Sequence, residues 1–423
     1  MESITHEVAL ARILERCVPM PITQLGLLDS VGHVLADDLV APRSIPADDN
    51  SAMDGYAVRS RDVVPGTRLL VVGDLRAGTA PDVSVVAGTA VRIMTGACIP
   101  HGADAVIPYE LTSIPGEPTD ARASLSPLPP TSIVINTEAR ADMHVRHSGE
   151  DIKRGTLLFR AGSPVTPATV AILAAMGCST VAVHRRPTVA VLSTGDELVE
   201  PGASRRKGQV YNSNGPALGA MVLSCGARLH AGPPVPDSMT ALGERLSEVV
   251  DLADLIITSG GASGGAFDVV GRLGERQETV QSFAVRMKPG KPLSLGWLRR
   301  SRDEGSVPYV GLPGNPIAAL VAFELFAKPA IYRMRGLDAP ASEIIAQAGH
   351  RFENPGSRTN FVRVNLERHD GSVIATSVGR HGSSALSSLI GMHGLAELPP
   401  AAVVEPGASV HVRLVRWADA EYC

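Results

Sequence analysis

Aromatic residues are scarce in this chain, 4% of its 423 residues, so it lacks the rows of stacking rings on which single-stranded nucleic acid is held. A basic excess is also missing. Lys and Arg number 39 against 43 Asp and Glu, a formal net charge of −4, which gives no general attraction to a polyanionic backbone. No run approaches the roughly 20 apolar residues that a membrane-spanning helix needs, and the N-terminus has no basic start followed by an apolar stretch. The expectation is a soluble, cytoplasmic protein. The cysteines, Cys17, Cys98, Cys178, Cys225 and Cys423, are odd in number and far apart, with neither zinc-site nor disulfide spacing, so they read as ordinary thiols. The 12 histidines contain no H-E-x-x-H, and there is no G-x-x-x-x-G-K-[ST] or G-x-G-x-x-G segment. Common NTPase and dehydrogenase readings lose weight accordingly.

Three glycine- and acid-rich segments are present, each directly after a short apolar run: STGDEL (193–198), SGGASGGAFD (259–268) and LPGNP (312–316). The runs at 188–192, 254–258 and 307–311 are rich in Val, Ile and Leu, and helical patterns lie between and after them at 216–225, 238–252 and 317–328. Strands feeding glycine turns and then helices make an α/β layer, and in an open parallel sheet such turns gather along the carboxyl edge, where ligands bind. Glycine lets backbone amides approach a ligand, and helix N-termini favour anions, so the loops suit phosphate. Asp196, Glu197 and Asp268 would repel a bare phosphate unless a divalent cation or proton lies between. The pattern therefore points to a phosphorylated ligand with a metal, although Glu197 or Asp268 alone could equally be a helix cap.

A chain of this length should hold several domains. Residues 1 to about 25 read as a helix, with Ile4, Val8, Ala11, Leu14 and Val18 on one face and a stop at Pro19–Pro21. Short β runs at 68–72, 90–94, 105–109 and 132–136 form a small β domain, with a Pro/Ser/Thr-rich loop at 114–130, and a helical stripe returns at 165–177. The flanking helical segments suggest one discontinuous linker domain. After Pro329 the pattern is β again, at 360–366, 373–377 and 409–415, a small barrel or sandwich.

In the β domain, Asp54 precedes Gly55 and Thr95 precedes Gly96; each can be a structural turn residue or a chemical group. In MKPGKP, Lys288 and Lys291 are pinned by Pro289, Gly290 and Pro292, which suits a compact oxyanion as well as a solvated turn.

NSAMDGYAV, RIMTGACIP, GEDIKRG, VAVLSTGDEL, YNSN, TSGGASGG, MKPGKP and GLPGNP together, in order along the chain, resemble the molybdopterin molybdenumtransferases, the MoeA-type enzymes related to the gephyrin E domain. The resemblance implies a transferase of molybdenum cofactor biosynthesis that inserts molybdate into adenylylated molybdopterin with Mg²⁺ and releases AMP. It implies a multi-domain α/β plus β fold: a discontinuous helical linker domain (1–44 and 137–180), a β-rich domain (45–136), a central α/β MogA-like molybdopterin-binding domain (181–332) and a C-terminal β-barrel (333–423). It further implies a homodimer, with other cofactor-biosynthesis proteins and molybdoenzymes as further partners. Carried over by motif, Asp54 and Thr95 reach the active site from the other subunit, while Glu197, Asp237 and Asp268 line the pocket and Glu197 and Asp268 hold the metal. Thr194, Gly195, Asp196, Asn212, Ser213, Asn214, Ser259, Gly260, Gly261, Ser263, Pro313, Gly314, Asn315 and Pro316 cradle the pterin and its phosphates. Lys288, Lys291, Arg363 and Ser384 take molybdate. The second glycine loop departs from the family pattern, with Ala266 where an acid is usual and Gly264–Gly265 replacing part of the motif. A second reading follows from that change: a paralogue that binds molybdopterin as carrier or scaffold, or inserts tungstate.

Overall fold

The computed structural model describes residues 1–115, 128–260, 280–302, 305–338, 343–379 and 384–415. They divide into two compact units, one of Met1–Asp37, Ala161–Val170 and Thr180–Cys423, the other of Asp38–Arg160 and Ala171–Ser179.

The larger unit is built on a seven-stranded sheet in the order Glu2–Ile4, Gln281–Val285, Pro292–Arg299, Ser306–Leu312, Leu255–Ser259, Thr188–Ser193, Arg228–Ala231. The last four run parallel, and Pro292–Arg299 is antiparallel to both its neighbours. Alternate residues feed two cores, Val189, Val191, Leu255 and Ile257 on one face, Ala190, Leu192 and Ile256 on the other. Helix Asn214–Ser224 and helix Pro316–Ala322 cover the first face through Leu218, Val222, Ile317 and Val321. Helix Met239–Val249 covers the second through Leu242 and Leu246. A parallel sheet buried on both faces explains why its strands read as continuous apolar runs. Ser193 aligns with Ser259, and Ser259 with Leu312, so the three glycine loops leave the sheet side by side, as their spacing implied.

The N-terminal reading is corrected. Residues 1–25 are not one helix: Glu2–Ile4 is a strand pairing parallel with Gln281–Val285, and only His6–Leu14 is helical, capped by Thr5 Oγ1 accepting from Val8 N at 3.3 Å. Pairing takes Ile4 out of the helix and rotates the buried face to Ala9, Ile13 and Cys17, leaving Val8 and Val18 exposed. The strand Ile22–Gly26 then pairs with Thr180–His184.

Within the same unit, Thr359–His369, Ser372–Ser377, Glu343–Ala348, Ser409–Leu414 and Gly394–Leu398 pair in turn, and the last returns to the first, closing a barrel around Val364, Leu366, Ala375 and Val412. A barrel, not a sandwich, therefore follows the α/β layer. The two-residue strand Met287–Lys288 adds in parallel to Thr359–His369.

The smaller unit holds a six-stranded sheet, Thr112–Ser113, Ser132–Ile135, Arg68–Leu75, Thr89–Ile93, Gly55–Val58, Ala105–Pro108. Arg92, buried in this sheet, donates from Nε and Nη2 to the two Asp74 carboxylate oxygens at 2.7 and 2.8 Å. Part of the expected 114–130 loop lies outside the described residues. Cys17, Cys98, Cys178 and Cys225 are thiols. Among the described residues no helix is long and apolar enough to cross a membrane.

Candidate functional site

Ser259 and Gly260, with residues of the 193–198 and 312–316 loops, line a cavity of about 900 Å³ in the larger unit. The loop after Thr188–Ser193 is pinned by Thr194 N donating to Ser259 O at 2.9 Å and Gly195 N donating to Val235 O at 3.1 Å. Gly260 has φ +104°, and a Cβ there would overlap the Thr194 carbonyl oxygen, so only glycine lets these two loops pass so closely. Asn212, buried, accepts from Gly215 N through Oδ1 at 3.0 Å, and its own N–H donates to Val199 O at 2.8 Å. These bonds fix the entry to helix Asn214–Ser224. Asn214 Nδ2 then donates to Gly314 O at 2.8 Å, and Ser259 Oγ to Pro313 O at 3.1 Å.

Among the described residues, the buried Ser193 Oγ, Thr194 Oγ1 and Asn214 Oδ1 have no hydrogen-bond partner, a cost of about 1–3 kcal/mol for each group unless a bound molecule satisfies it. Glu197 and Asp237 also line the cavity. Burial, then the charges of Asp196 and Glu197, hold the Asp237 carboxyl above its ordinary value. Asp196 stands behind them, its Oδ1 accepting from Asp237 N at 3.0 Å.

A cationic group enters from another direction. Lys288 and Lys291 line the cavity with Arg358 and Arg363. The lysine loop is closed by Val285 N donating to Lys291 O at 2.7 Å, and Lys288 is in parallel register with Asn360. Arg363 is buried on the next stretch of that strand, and burial pulls its guanidinium below the ordinary value.

Of the residues singled out by sequence, Thr194, Glu197, Asn212, Ser213, Asn214, Asp237, Ser259, Gly260, Lys288, Lys291, Pro313, Gly314, Asn315, Pro316 and Arg363 share this cavity. Gly195 and Asp196 do not line it but hold its first loop. Ser384 is an exposed turn residue not among the cavity-lining residues. Gly261, Ser263 and Asp268 lie outside the described residues. Asp54 and Thr95 belong to the smaller unit, where Asp54 Oδ1 accepts from Thr95 N at 2.6 Å and from Thr95 Oγ1 at 2.8 Å. Sequence reasoning missed Ser193, Arg358 and Asn360. Ser193 is the last residue of an apolar strand, a position that meets the ligand edge in a parallel sheet. Arg358, just after Gly356 at a strand entrance, carried only a weak turn signal.

The chain matches the family models for the MoeA N-terminal region, domains I and II, over residues 4–177, for a probable molybdopterin binding domain over 190–333, and for the MoeA C-terminal region, domain IV, over 346–415. It is 38% identical over 387 residues to molybdopterin molybdenumtransferase 2 of Mycobacterium tuberculosis, covering 88% of this chain and 89% of that protein. Against the molybdopterin molybdenumtransferase of Haemophilus influenzae the identity is 34%, covering 79% and 78%. The crystal structure of the molybdopterin biosynthesis MoeA protein from Pyrococcus horikosii superposes with a TM-score of 0.83 at 30% identity, covering 98% of this chain and 99% of that one. A cavity of phosphate-type loops, acids and lysines, on a chain that aligns to these proteins over most of its length, places the protein in the MoeA family of molybdopterin molybdenumtransferases.

Proposed function

We propose that this protein inserts molybdate into adenylylated molybdopterin and releases AMP, a step in molybdenum cofactor biosynthesis. The observation that carries the reading is the single cavity in which unsatisfied buried hydroxyls, two carboxylates, two lysines and two arginines come together. Molybdate and the phosphorylated pterin are both anions. Two unit charges about 4 Å apart repel by about 1 kcal/mol in water and about 4 kcal/mol at an effective dielectric constant near 20, so a site that unites them must cancel charge. Lys288, Lys291 and Arg363 are the proposed molybdate group. The 212–214 and 259–263 segments, with Thr194 and the 313–316 turn, are the proposed cradle for pterin and phosphates, where Ser193 and Asn214 have polar atoms ready to pair.

Mg²⁺ is the proposed ion, with Glu197 as its carboxylate among the described residues. Among the described residues, Asp196, Glu197 and Asp237 do not form a closed cluster of ligand atoms. Mg²⁺ commonly takes one or two carboxylates and completes its shell with water and substrate phosphate. Glu197, with Asp268, would hold the ion, which when bound supplies charge neutralisation at the phosphoanhydride. Asp237, its carboxyl raised by burial and then by Asp196 and Glu197, would hold a proton more readily than an ordinary aspartate.

The proposed assembly is a homodimer in which Asp54 and Thr95 serve the partner's site, with other cofactor-biosynthesis proteins and molybdoenzymes as later contacts. Thiol cysteines suit the proposed cytoplasmic setting.

The test is to mix purified protein with adenylylated molybdopterin and molybdate and follow AMP. Release of AMP with molybdate supports the reading; tight pterin binding without AMP indicates a carrier or scaffold. AMP with tungstate alone indicates a tungstate insertase. The altered sequence of the 259–268 loop keeps these two alternatives in play.

A further inference from the structure

We propose that Arg358 is an oxyanion-binding residue of this cavity and that Asn354 is the residue that positions it, an inference that rests on the molybdenumtransferase reading. Arg358 immediately precedes strand Thr359–His369 and lines the cavity beside Lys288, Lys291 and Arg363. Its hydrogen bond runs from Nη1 to Met287 O at 3.4 Å, a long contact. Among the described residues no carboxylate pairs with it. A guanidinium has five N–H donors, so most of this fork is uncommitted. Elsewhere the fold uses both arms of an arginine in the scaffold: Arg335 donates to Cys225 O and Gly32 O, each at 2.7 Å, and Arg185 to Asp254 at 2.9 and 2.8 Å. An uncommitted fork facing a cavity already lined by two lysines matches a tetrahedral oxyanion, either molybdate or a phosphate of the pterin substrate.

The entrance to the strand is built around Asn354. This buried amide shares Nδ2 among Arg358 O at 2.9 Å, Leu398 O at 3.0 Å and Pro399 O at 2.8 Å. Its Oδ1 accepts from Gly356 N at 3.3 Å. Thr359 N then donates to Arg286 O at 3.1 Å, and Met287 and Lys288 register with Thr359 and Asn360. Arg358 and Lys288 are thereby delivered to the cavity from adjacent parallel segments.

The experiment compares wild type with Arg358→Ala, Arg358→Lys and Asn354→Ser. Calorimetric titrations use molybdate alone and AMP alone as probes, and steady-state assays give separate KM values for molybdate and for adenylylated molybdopterin. Loss of a charge-assisted pair predicts about tenfold or greater weakening for one anion in Arg358→Ala, with an unchanged unfolding midpoint and partial rescue in Arg358→Lys. A molybdate effect assigns the fork to molybdate; an AMP or pterin effect assigns it to phosphate. Asn354→Ser should show the same anion selectivity in weaker form. Probe affinities in Arg358→Ala within twofold of wild type, or no binding of either probe to wild type, overturn the proposal. If wild type binds a probe and Arg358→Ala does not, while wild type releases no AMP from the pterin substrate, the oxyanion role stands and the insertion reading falls.

Discussion

Asn214 Nδ2 donates to Ser259 Oγ at 2.8 Å, joining the start of one helix to the end of a strand 45 positions later in the chain. The same amide holds Gly314 O, so one side chain ties together the second and third glycine loops.

Asn214→Ala should therefore loosen the cradle rather than the fold. It removes two hydrogen bonds at the ligand edge, about 1–3 kcal/mol in total if their partners find water. The expected result is a KM for adenylylated molybdopterin raised about tenfold with KM for molybdate nearly unchanged. Equal rises in both KM values would show that Asn214 holds the whole cavity open instead.

Asp237 supplies a pH signature. Its carboxyl is raised by burial and then by Asp196 and Glu197, so the folded protein disfavours its ionised form. The resulting loss of stability is absent below the ordinary aspartate value near 4 and fully present above the folded value. Asp237→Asn should thus unfold at a higher temperature than wild type at neutral pH, and the gap should close as pH falls through the acid range. Asp237 opens toward the cavity's solvent, so the gap is small. Melting curves from pH 3 to pH 8 without divalent cations read it; a gap that widens toward acid pH contradicts the assignment.

The parts of this site that were legible in sequence are those encoded locally. A strand, a glycine turn and a helix start occupy one stretch of chain at 306–322, so the 312–316 loop announced itself, and the register of Ser193, Ser259 and Leu312 is the ordinary outcome of parallel pairing; of the 259–268 segment only Ser259 and Gly260 are among the described residues. Long-range pairing was not legible. Glu2–Ile4 is three residues with no strand pattern of its own and becomes β by joining Gln281–Val285. Pro292–Arg299 hides in a mixed run, and Arg358 gains its place only because Met287–Lys288 pairs with Thr359–Asn360. Asp237, in an irregular stretch before a helix, had no local mark; the family resemblance alone singled it out.

In the smaller unit, the Arg92–Asp74 pair should govern stability. Asp74 accepts both guanidinium arms at the buried Arg92, and these hydrogen bonds lower the Asp74 carboxyl and raise Arg92. A lowered carboxyl contributes stability that is present above its unfolded value and lost as pH falls through the folded one. Asp74→Ala should destabilise this unit by about 3 kcal/mol, as removal of one partner of a buried pair does, measured by denaturant unfolding at pH 7. The deficit relative to wild type should shrink at acid pH. A neutral-pH cost below about 0.5 kcal/mol would place the pair with ordinary surface bridges.

The proposed sharing of sites between subunits has a direct genetic test. Asp54 holds Thr95 through two hydrogen bonds in the smaller unit, whereas Lys288 lines the cavity of the larger one. Asp54→Ala and Lys288→Ala homodimers should each be inactive while remaining folded. If the partner subunit's Asp54 completes each cavity, a mixed dimer contains one site with both residues intact and one lacking both. Unfolding and refolding an equal mixture makes about half the dimers mixed, so AMP release should recover to about a quarter of wild type, because a two-fold dimer presents each interface twice. If Asp54 and Lys288 act within one subunit, every site in the mixture lacks one of them and no activity returns.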